Sequence, residues 1–300
     1  MSHIVRYITA DGAAVITAID STGIVARAEQ LHKTSAVVTA ALGRLLTAAS
    51  MMGYLLKDES DTLTLQVKGN GPVGAVVAVS DSHGNVRGYA GKTVVEIPLN
   101  AKGKLDVSGA VGKDGMLYVM RDFGEGEPYV GQVPLVSGEI AEDITSYYAT
   151  SEQTPTVCGL GVLVAPDLTV QKAGGFLLQL LPYCPEETIA KIEENVASIT
   201  SVTGLLSEGK TPSDICEMLF AGLEPNLLDE GDAEYRCDCT RERVERALLS
   251  IGEKQLRELV DEGKTEELLC HFCNKRYRFS PDEIRKLLET AIRAKKSEKD

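Results

Sequence analysis

Tryptophan is absent from this sequence of 300 residues, which contains only 5 Phe and 10 Tyr. So few aromatic rings argue against a platform on which nucleic-acid bases would stack. The first 230 residues also lack a patch of clustered Lys and Arg, and contacts with phosphate groups need such patches. Both deficits argue against a general nucleic-acid-binding protein.

A long uncharged apolar run is lacking as well. The most apolar long stretch, residues 35–56, holds Arg44 near its centre, and a charge there costs about 2.5–3.5 kcal/mol in a bilayer. Its larger apolar residues recur at steps of three and four, which predicts a helix with a buried face. The first residues show neither the basic nor the apolar region of a signal peptide. We therefore predict a cytoplasmic protein with no membrane partner.

The composition is that of a globular protein, with 43% apolar and 25% charged residues. A chain of this length accommodates two or three domains with a hydrophobic core. The net charge of −13 is unevenly distributed: residues 1–120 carry +1, residues 121–230 carry −14, and residues 231–300 are neutral. The acidic charge is thus concentrated in the middle of the chain.

Residues 1–181 alternate short β-like runs with turns, and helical patterns interrupt them at 21–33, 35–56 and 140–152. Because the order lacks a regular β-α-β alternation, we predict an α+β domain with mostly antiparallel sheets. The predicted strands are Ile4–Ile8, Ala14–Ile19, Leu63–Val67, Val73–Val79, Val86–Tyr89, Val94–Ile97, Leu117–Met120, Tyr129–Val136, Val157–Val164 and Leu168–Leu181.

The sequence pattern changes after residue 181 from β-like runs to helical, acidic segments. Residues 182–231 are predicted to form a helical, acidic linker. A helix is expected over Pro185–Ala197, and Thr211 before Pro212 is typical of a helix N-cap. Short acidic helices bury little apolar surface, so this linker is expected to be marginally stable without a neighbour. Residues 232–300 follow as a small C-terminal domain, whose last helix begins at the capping box Ser280–Glu283.

Four of the 7 cysteines fall into two close pairs. Cys237 and Cys239 are followed, after 30 residues, by Cys270 and Cys273. Two such pairs are typical of a four-thiolate zinc site, and a helical hairpin between them brings both pairs to one metal ion. Ferredoxin-type cysteine runs are lacking, which favours zinc over an iron–sulfur cluster. His271 lies inside the second pair and is left open as an alternative ligand.

A four-thiolate site leaves no coordination position for water, which disfavours zinc hydrolase chemistry. Each pair can instead close a disulfide once the metal leaves, because thiolates are the species that react with oxidants. Structural zinc supplies roughly 10–16 kcal/mol of folding free energy, against a total domain stability of about 5–15 kcal/mol. Oxidation is therefore expected to unfold residues 232–280. The cysteine spacing alone is equally compatible with a zinc module that has only a structural role.

Other motifs point to ordinary structural roles. Residues 69–74 match G-x-G-x-x-G, but they lie between two strand-like runs with Pro72 inside, which indicates a hairpin turn and not a dinucleotide site. Cys158, Cys184 and Cys216 are isolated, so small buried apolar roles are expected for them.

With these segments and cysteines, the sequence resembles the redox-regulated 33-kilodalton heat-shock chaperone family. The resemblance rests on the four paired cysteines and on residues 41–48, 69–75, 104–107, 131–133 and 151–155. It implies an N-terminal α+β domain, a helical linker and a C-terminal zinc domain, with one Zn²⁺ per reduced chain bound by Cys237, Cys239, Cys270 and Cys273.

The resemblance also implies a function, that of a non-enzymatic holdase chaperone that works without ATP. Such a protein is inactive when reduced and zinc-bound. Oxidation forms the disulfides Cys237–Cys239 and Cys270–Cys273, zinc leaves, and the linker unfolds. The active form dimerises and binds unfolding client proteins, on a surface that the sequence does not identify.

Two other hypotheses remain at this stage. One is a constitutive zinc-ribbon module for a protein or nucleic-acid partner, which the basic run Lys275–Arg278 favours. The other is a thiol–disulfide oxidoreductase that uses Cys270 and Cys273. The strand-like run Asn274–Phe279 argues against it, because such enzymes place the reactive pair at a helix N-terminus.

Overall fold

The computed structural model describes residues 2–124 and 126–297, with side chains as far as residue 292. The chain divides into two compact units, Met1–Arg236 and Cys237–Asp300. This division groups the predicted linker with the first unit, and the predicted boundaries at residues 181 and 231 stay predictions.

The first unit contains two antiparallel five-stranded sheets and seven helices among the residues described. Its strands are β1 Ser2–Ile8, β2 Ala14–Asp20, β3 Thr62–Lys68, β4 Ala75–Asp81, β5 Val86–Ala90, β6 Met116–Asp122, β7 Tyr129–Pro134, β8 Thr156–Val164, β9 Val170–Leu180 and β10 Asn226–Ala233. Its helices are α1 Thr22–His32, α2 Ala36–Gly53, α3 Val107–Val111, α4 Ala141–Thr150, α5 Glu186–Ser198, α6 Val202–Ser207 and α7 Pro212–Leu219.

The first sheet has the order β10-β1-β2-β9-β8, and the second has the order β5-β4-β3-β6-β7. Neighbouring strands are antiparallel in both sheets. The prediction of an α+β fold with mostly antiparallel sheets is confirmed.

Helix α2 is the core helix of this unit. Its length and apolar composition would suit a membrane span, but 89% of this 18-residue helix is buried inside the protein. It shares one core cluster with both sheets, through residues such as Ile19 of the first and Leu65 of the second. The buried face predicted from its periodicity thus packs against protein on nearly all sides.

The strand predicted at Val94–Ile97 is wrong. The segment is irregular, and the Ser35 hydroxyl accepts a hydrogen bond from the Val95 N–H at 3.1 Å and donates one to the Val95 carbonyl oxygen at 2.8 Å. Since the residue before α2 satisfies these backbone groups, they are not available for a sheet.

The helices α5, α6 and α7 pack on the first sheet and form a second core cluster with it. Thr211 and Asp214 form a reciprocal capping box at the start of α7, as predicted for Thr211. Asn195 of α5 donates to the carbonyl oxygens of Leu219 and Ala221, both at 3.0 Å. The predicted linker helices therefore share their core with the sheet.

The acidic run that ends this region is a strand, which the sequence did not predict. Strand β10 pairs with β1, where Arg6 and Asp229 form an ion pair of 2.9 Å. Acidic residues and Gly231 disfavour a strand locally, and the pairing with β1 outweighs that preference.

The second unit is small. It contains α8 Arg241–Ser250, α9 Glu253–Glu262, the hairpin of β11 Glu266–Leu269 and β12 Arg276–Phe279, and α10 Pro281–Ser297. The Ser280–Glu283 capping box is confirmed, with the Ser280 N–H donating to the Glu283 carboxylate at 2.8 Å. The buried apolar core consists of Leu248, Leu256, Tyr277, Phe279, Ile284 and Leu288.

Candidate metal centre

The four paired cysteines converge in the second unit. Their Sγ atoms all lie within 4.8 Å of one another. The Sγ atoms of Cys237 and Cys270 are 3.8 Å apart, and those of Cys239 and Cys273 are 3.3 Å apart. A zinc–sulfur bond of about 2.3 Å gives a tetrahedron edge of about 3.8 Å, so this donor set fits a tetrahedral zinc ion.

Two tight local structures present the sulfurs. Cys270 and Cys273 lie on the turn between β11 and β12, where the Asn274 N–H donates to the Cys270 carbonyl oxygen at 2.8 Å. The Cys270 N–H in turn donates to the Lys275 carbonyl oxygen at 3.0 Å. Cys237 and Cys239 precede α8, whose N-cap is Thr240. The helices α8 and α9 between the pairs agree with the predicted helical hairpin.

The thiols differ in acidity. Burial raises the pKa of Cys237, and it raises the pKa of Cys273 to about 11, although the Lys275 backbone N–H partly offsets this shift. Burial also opposes ionisation of Cys239, but the Tyr277 hydroxyl and the neighbouring thiols outweigh it and lower the pKa of Cys239. In the metal-free reduced protein, Cys239 therefore ionises before Cys237 and Cys273.

Tyr277 is a site residue that the sequence analysis missed. Its ring lies in the core, and its hydroxyl donates to the Cys239 carbonyl oxygen at 2.9 Å and lies 3.2 Å from the Cys239 sulfur. Such outer contacts fix the orientation of a metal ligand. The sequence feature that could have identified Tyr277 is its position as an aromatic residue in the strand-like run after the second cysteine pair.

His271 was left open as an alternative ligand. Within the described part of the chain, the group of donors that can hold a metal ion consists of the four cysteines, and His271 does not belong to it. The side chain of His271 is exposed on the turn. Asp238, inside the first pair, forms an ion pair with Arg243.

The other three cysteines lie in the first unit and do not join this cluster. Cys216 is completely buried in α7, and burial raises its pKa. Cys158 lies in β8, where burial raises the pKa of its thiol to about 12. Cys184 is partly exposed, and its pKa is also raised, first by burial and then by Asp11.

The basic run Lys275–Arg278 has partners within its own unit. Arg276 and Arg278 form ion pairs with the same carboxylate, that of Glu267, at 3.2 and 3.0 Å. The Lys275 ammonium lies 5.2 Å from the centre of the Tyr277 ring. These contacts reduce the positive field that a nucleic-acid phosphate would meet.

The glycine motif is the turn between β3 and β4, in agreement with the predicted hairpin. The Gly71 N–H donates to the Val111 carbonyl oxygen at 2.9 Å. A Cβ atom at Gly71 would lie 2.3 Å from the Ala110 carbonyl oxygen, so close backbone packing explains the glycine.

Comparisons with known proteins agree with the resemblance found in the sequence. The family described as "Hsp33 protein" matches residues 2–280. A 33 kDa chaperonin from Clostridium botulinum (strain 657 / Type Ba4) is 50% identical over 287 residues, which cover 96% of this chain and 97% of the relative. One from Clostridioides difficile (strain 630) is 51% identical over 265 residues, which cover 88% and 91%.

A solved structure shows the same fold. The crystal structure of the 33 kDa chaperonin (heat shock protein 33 homolog) from Thermotoga maritima superposes with a TM-score of 0.88 at 39% sequence identity. The superposition covers 97% of this chain and 99% of that protein. The α+β architecture thus agrees with a known structure over almost the whole length.

Proposed function

This chain belongs to the Hsp33 family, and from that membership we propose that it is a cytoplasmic, redox-regulated holdase chaperone that works without ATP. The reduced chain holds one Zn²⁺ through Cys237, Cys239, Cys270 and Cys273 and is inactive. Oxidation closes two disulfides, releases the metal and unfolds the linker. The active form, a dimer, binds unfolding client proteins and catalyses no reaction.

The observation that carries this proposal is the convergence of two disulfide-competent cysteine pairs on one point. Bound zinc would hold the four sulfurs as thiolates and cross-link two distant parts of the chain. Each disulfide forms when two thiols lose two electrons and two protons. With hydrogen peroxide as the oxidant, its O–O bond breaks and two water molecules form.

The size of the second unit supports a folding switch. Among the side chains described, as far as residue 292, its core holds six that are apolar and buried, in a unit of 64 residues from Cys237 to Asp300. A core of that size supplies only a few kcal/mol, about 3–5, so a metal ion decides whether such a domain folds. We infer that the oxidised, metal-free unit loses its tertiary structure.

The packing of α5 to α7 on the first sheet indicates which apolar surface would become exposed when the linker unfolds. The helices α5 to α7 contribute Ile192, Leu206 and Leu219 to the cluster that they share with the first sheet. Their separation from the sheet would expose apolar side chains on both sides of that cluster. Such surfaces bind unfolded chains, and the acidic charge of residues 121–230 would keep the resulting complexes in solution.

The alternative is a constitutive zinc module that binds a nucleic acid or a protein partner. The run Lys275–Arg278 is its only support in sequence, and the ion pairs of Arg276 and Arg278 with Glu267 weaken that support. A thiol–disulfide oxidoreductase would need a reactive pair at a helix N-terminus. Cys270 and Cys273 instead lie on the turn between the strands β11 and β12.

The test is light scattering from thermally unfolding citrate synthase, with no ATP present. The zinc-loaded reduced chain is compared with the chain after peroxide treatment at the unfolding temperature, and zinc release is followed with a chromogenic chelator. We expect suppression of scattering only after oxidation, together with loss of one zinc per chain. Equal scattering in both states, with zinc retained, would contradict the redox switch.

The matched control is the variant Cys184→Ser, which removes a partly exposed cysteine outside the cluster. It should switch like the unaltered chain. A second control is a duplex DNA added to the reduced protein. Binding that weakens steeply with salt would support the nucleic-acid alternative instead.

A further inference from the structure

Strand β8 forms one outer edge of the first sheet, and its sequence lacks the residues that usually protect an edge strand. Its nine residues, Thr156–Val164, include no charged residue and no proline. The opposite edge strand, β10, carries Asp229, Glu230 and Asp232. Proteins usually protect edge strands with charges or proline, because an unpaired edge accepts further strands.

The backbone of β8 offers hydrogen-bonding groups along this edge. The Cys158 N–H points away from β9 and donates to the Thr145 hydroxyl at 3.2 Å. Because alternate residues of a strand point their backbone groups the same way, Leu160 and Val162 also face outward. Among the residues described, the N–H groups of Leu160 and Val162 have no hydrogen-bond partner.

An apolar groove of about 940 Å³ runs beside this edge. Ala36 and Ala40 of α2 contribute to its lining, as do residues 199–204, which connect α5 to α6 and form the start of α6. Leu99, Leu163 and Leu168 also line it and are 59%, 45% and 43% exposed. Their exposure leaves apolar surface available to the side chains of an added strand.

One end of the groove is lined by two basic residues, Arg44 and Lys104. The cavity that adjoins it is lined by Lys102 and Lys113 and also by the carboxylates of Asp106, Glu139 and Glu142. Arg44 pairs with Glu139 through Nη1, but its buried Nε has no hydrogen-bond partner in the described part of the chain. The Arg44 Nε–H and the Lys104 ammonium are therefore the donors that this end presents to a carboxylate.

We propose that this groove binds an extended apolar segment of an unfolding protein, which adds to β8 as a sixth strand and turns an acidic residue toward Arg44. Recognition through the main chain tolerates many sequences, because every peptide offers the same N–H and C=O groups. The inference rests on the proposed holdase function and assigns a site to its clients. Residues 199–204 belong to the predicted linker, so unfolding of the linker would widen the groove for longer chains.

The direct test uses a fluorescein-labelled nonapeptide of alternating Val and Thr with a terminal Glu. Its binding to the reduced and the oxidised full-length chain is followed by fluorescence anisotropy. A second peptide carries N-methyl groups on alternate backbone nitrogens, which removes the donors of one edge. We expect the N-methylated peptide to bind at least about tenfold more weakly, a loss of about 1.4 kcal/mol.

Two variants locate the site on the chain. Leu163→Glu places a carboxylate in the groove at an exposed position and should weaken binding at least about tenfold, again about 1.4 kcal/mol. Val130→Glu is the matched control, because Val130 is 51% exposed on β7, an edge strand of the second sheet. It should leave the affinity unchanged. Bound peptide should also slow amide hydrogen exchange at Leu160 and Val162.

Equal affinity for the two peptides, or equal affinity of Leu163→Glu and the unaltered chain, would overturn the proposal. So would competition by a single-stranded RNA with a steep salt dependence, which would assign the positive end to a nucleic acid. The redox switch is tested separately. If the peptide binds as expected but oxidation does not change client scattering, the proposed peptide site is supported and the proposed redox switch is contradicted. If oxidation activates the chaperone but the peptide does not bind, only the proposed peptide site is contradicted.

Discussion

The hydroxyl group of Tyr277 joins the core of the second unit to the cysteine cluster, since it donates to the Cys239 carbonyl oxygen at 2.9 Å and lies 3.2 Å from the Cys239 sulfur. A single O–H group thus orients the backbone and the side chain of one proposed ligand. The same contact favours the thiolate and lowers the pKa of Cys239, against the effect of burial.

We predict that Tyr277→Phe weakens zinc binding by about 10–100-fold, because an outer hydrogen bond to a metal ligand is lost while the ring stays in the core. The measurement is competition for zinc with a chromophoric chelator. Tyr183→Phe is the control, since the side chain of Tyr183 is fully exposed. An unchanged affinity in Tyr277→Phe would show that the hydroxyl does not support the ligand.

Replacement of one sulfur donor should have a larger effect. Cys270→Ser removes one of four proposed ligands, about a quarter of a binding free energy of roughly 10–16 kcal/mol, which is roughly a hundred- to a thousandfold in affinity. The second unit should then be digested rapidly by trypsin in the reduced state, while the first unit persists. Cys184→Ser should keep one zinc per chain, and retained native affinity in Cys270→Ser would contradict the ligand set.

The thiol of Cys158, a partly buried residue that packs against the core of the first unit, makes stability depend on pH. Its folded pKa of about 12 exceeds the ordinary value of about 8.5 for cysteine. Above about pH 8.5 the unfolded chain loses the Cys158 proton while the folded chain keeps it. The contribution of the protonated thiol to the free energy of unfolding is therefore complete below about pH 8.5 and is lost as the pH rises toward 12. Urea unfolding between pH 8 and pH 10, as a rough range, should show a shallower decline in Cys158→Ala than in the unaltered chain.

An independent readout of the same thiol is alkylation by iodoacetamide, followed by peptide mass spectrometry. The zinc-loaded chain should react at Cys158 about tenfold faster for each pH unit gained, because only the thiolate reacts. Rapid modification of Cys158 at neutral pH would contradict its raised pKa.

The carboxylate of Asp143 organises the turn before α4. It accepts hydrogen bonds from the N–H groups of Val136, Ser137, Gly138 and Ile140, at 2.8 to 3.3 Å, and is completely buried. Asp143→Ala should cost about 3–5 kcal/mol of stability, because several buried donors lose a charged acceptor. Asp143→Asn should cost less, since one acceptor oxygen remains.

The measurement for Asp143 is the free energy of unfolding in urea. Asp167→Ala is the control, because Asp167 accepts its hydrogen bonds from Thr169 within its own exposed turn. If Asp143→Ala and Asp167→Ala unfold at the same urea concentration, the turn does not depend on the carboxylate.

Much of the fold follows from local patterns. The N-cap at Thr211 and the capping box at Ser280 were predicted because the residues that form them are neighbours in sequence. The periodicity of residues 35–56 predicted α2, since the spacing of its apolar side chains defines the buried face. Strands such as Leu63–Val67 were found for the same reason.

The errors concern backbone groups whose partners are distant in sequence. Val94–Ile97 has the composition of a strand, but Ser35, 60 residues away from Val95, takes its hydrogen bonds. Strand β10 has the composition of an acidic loop, but β1 at the other end of the unit pairs with it. Local preference is small compared with the free energy of such pairing.

By itself, the sequence predicted that the four paired cysteines form one site, because a spacing of two close pairs limits the sites that four thiols can form. It also determined the α+β class and the family resemblance. The tertiary structure alone decided that Tyr277 supports Cys239, that Arg276 and Arg278 share Glu267, and that β8 is an open edge. These are relations between residues far apart in the chain, and only the packed fold fixes their distances.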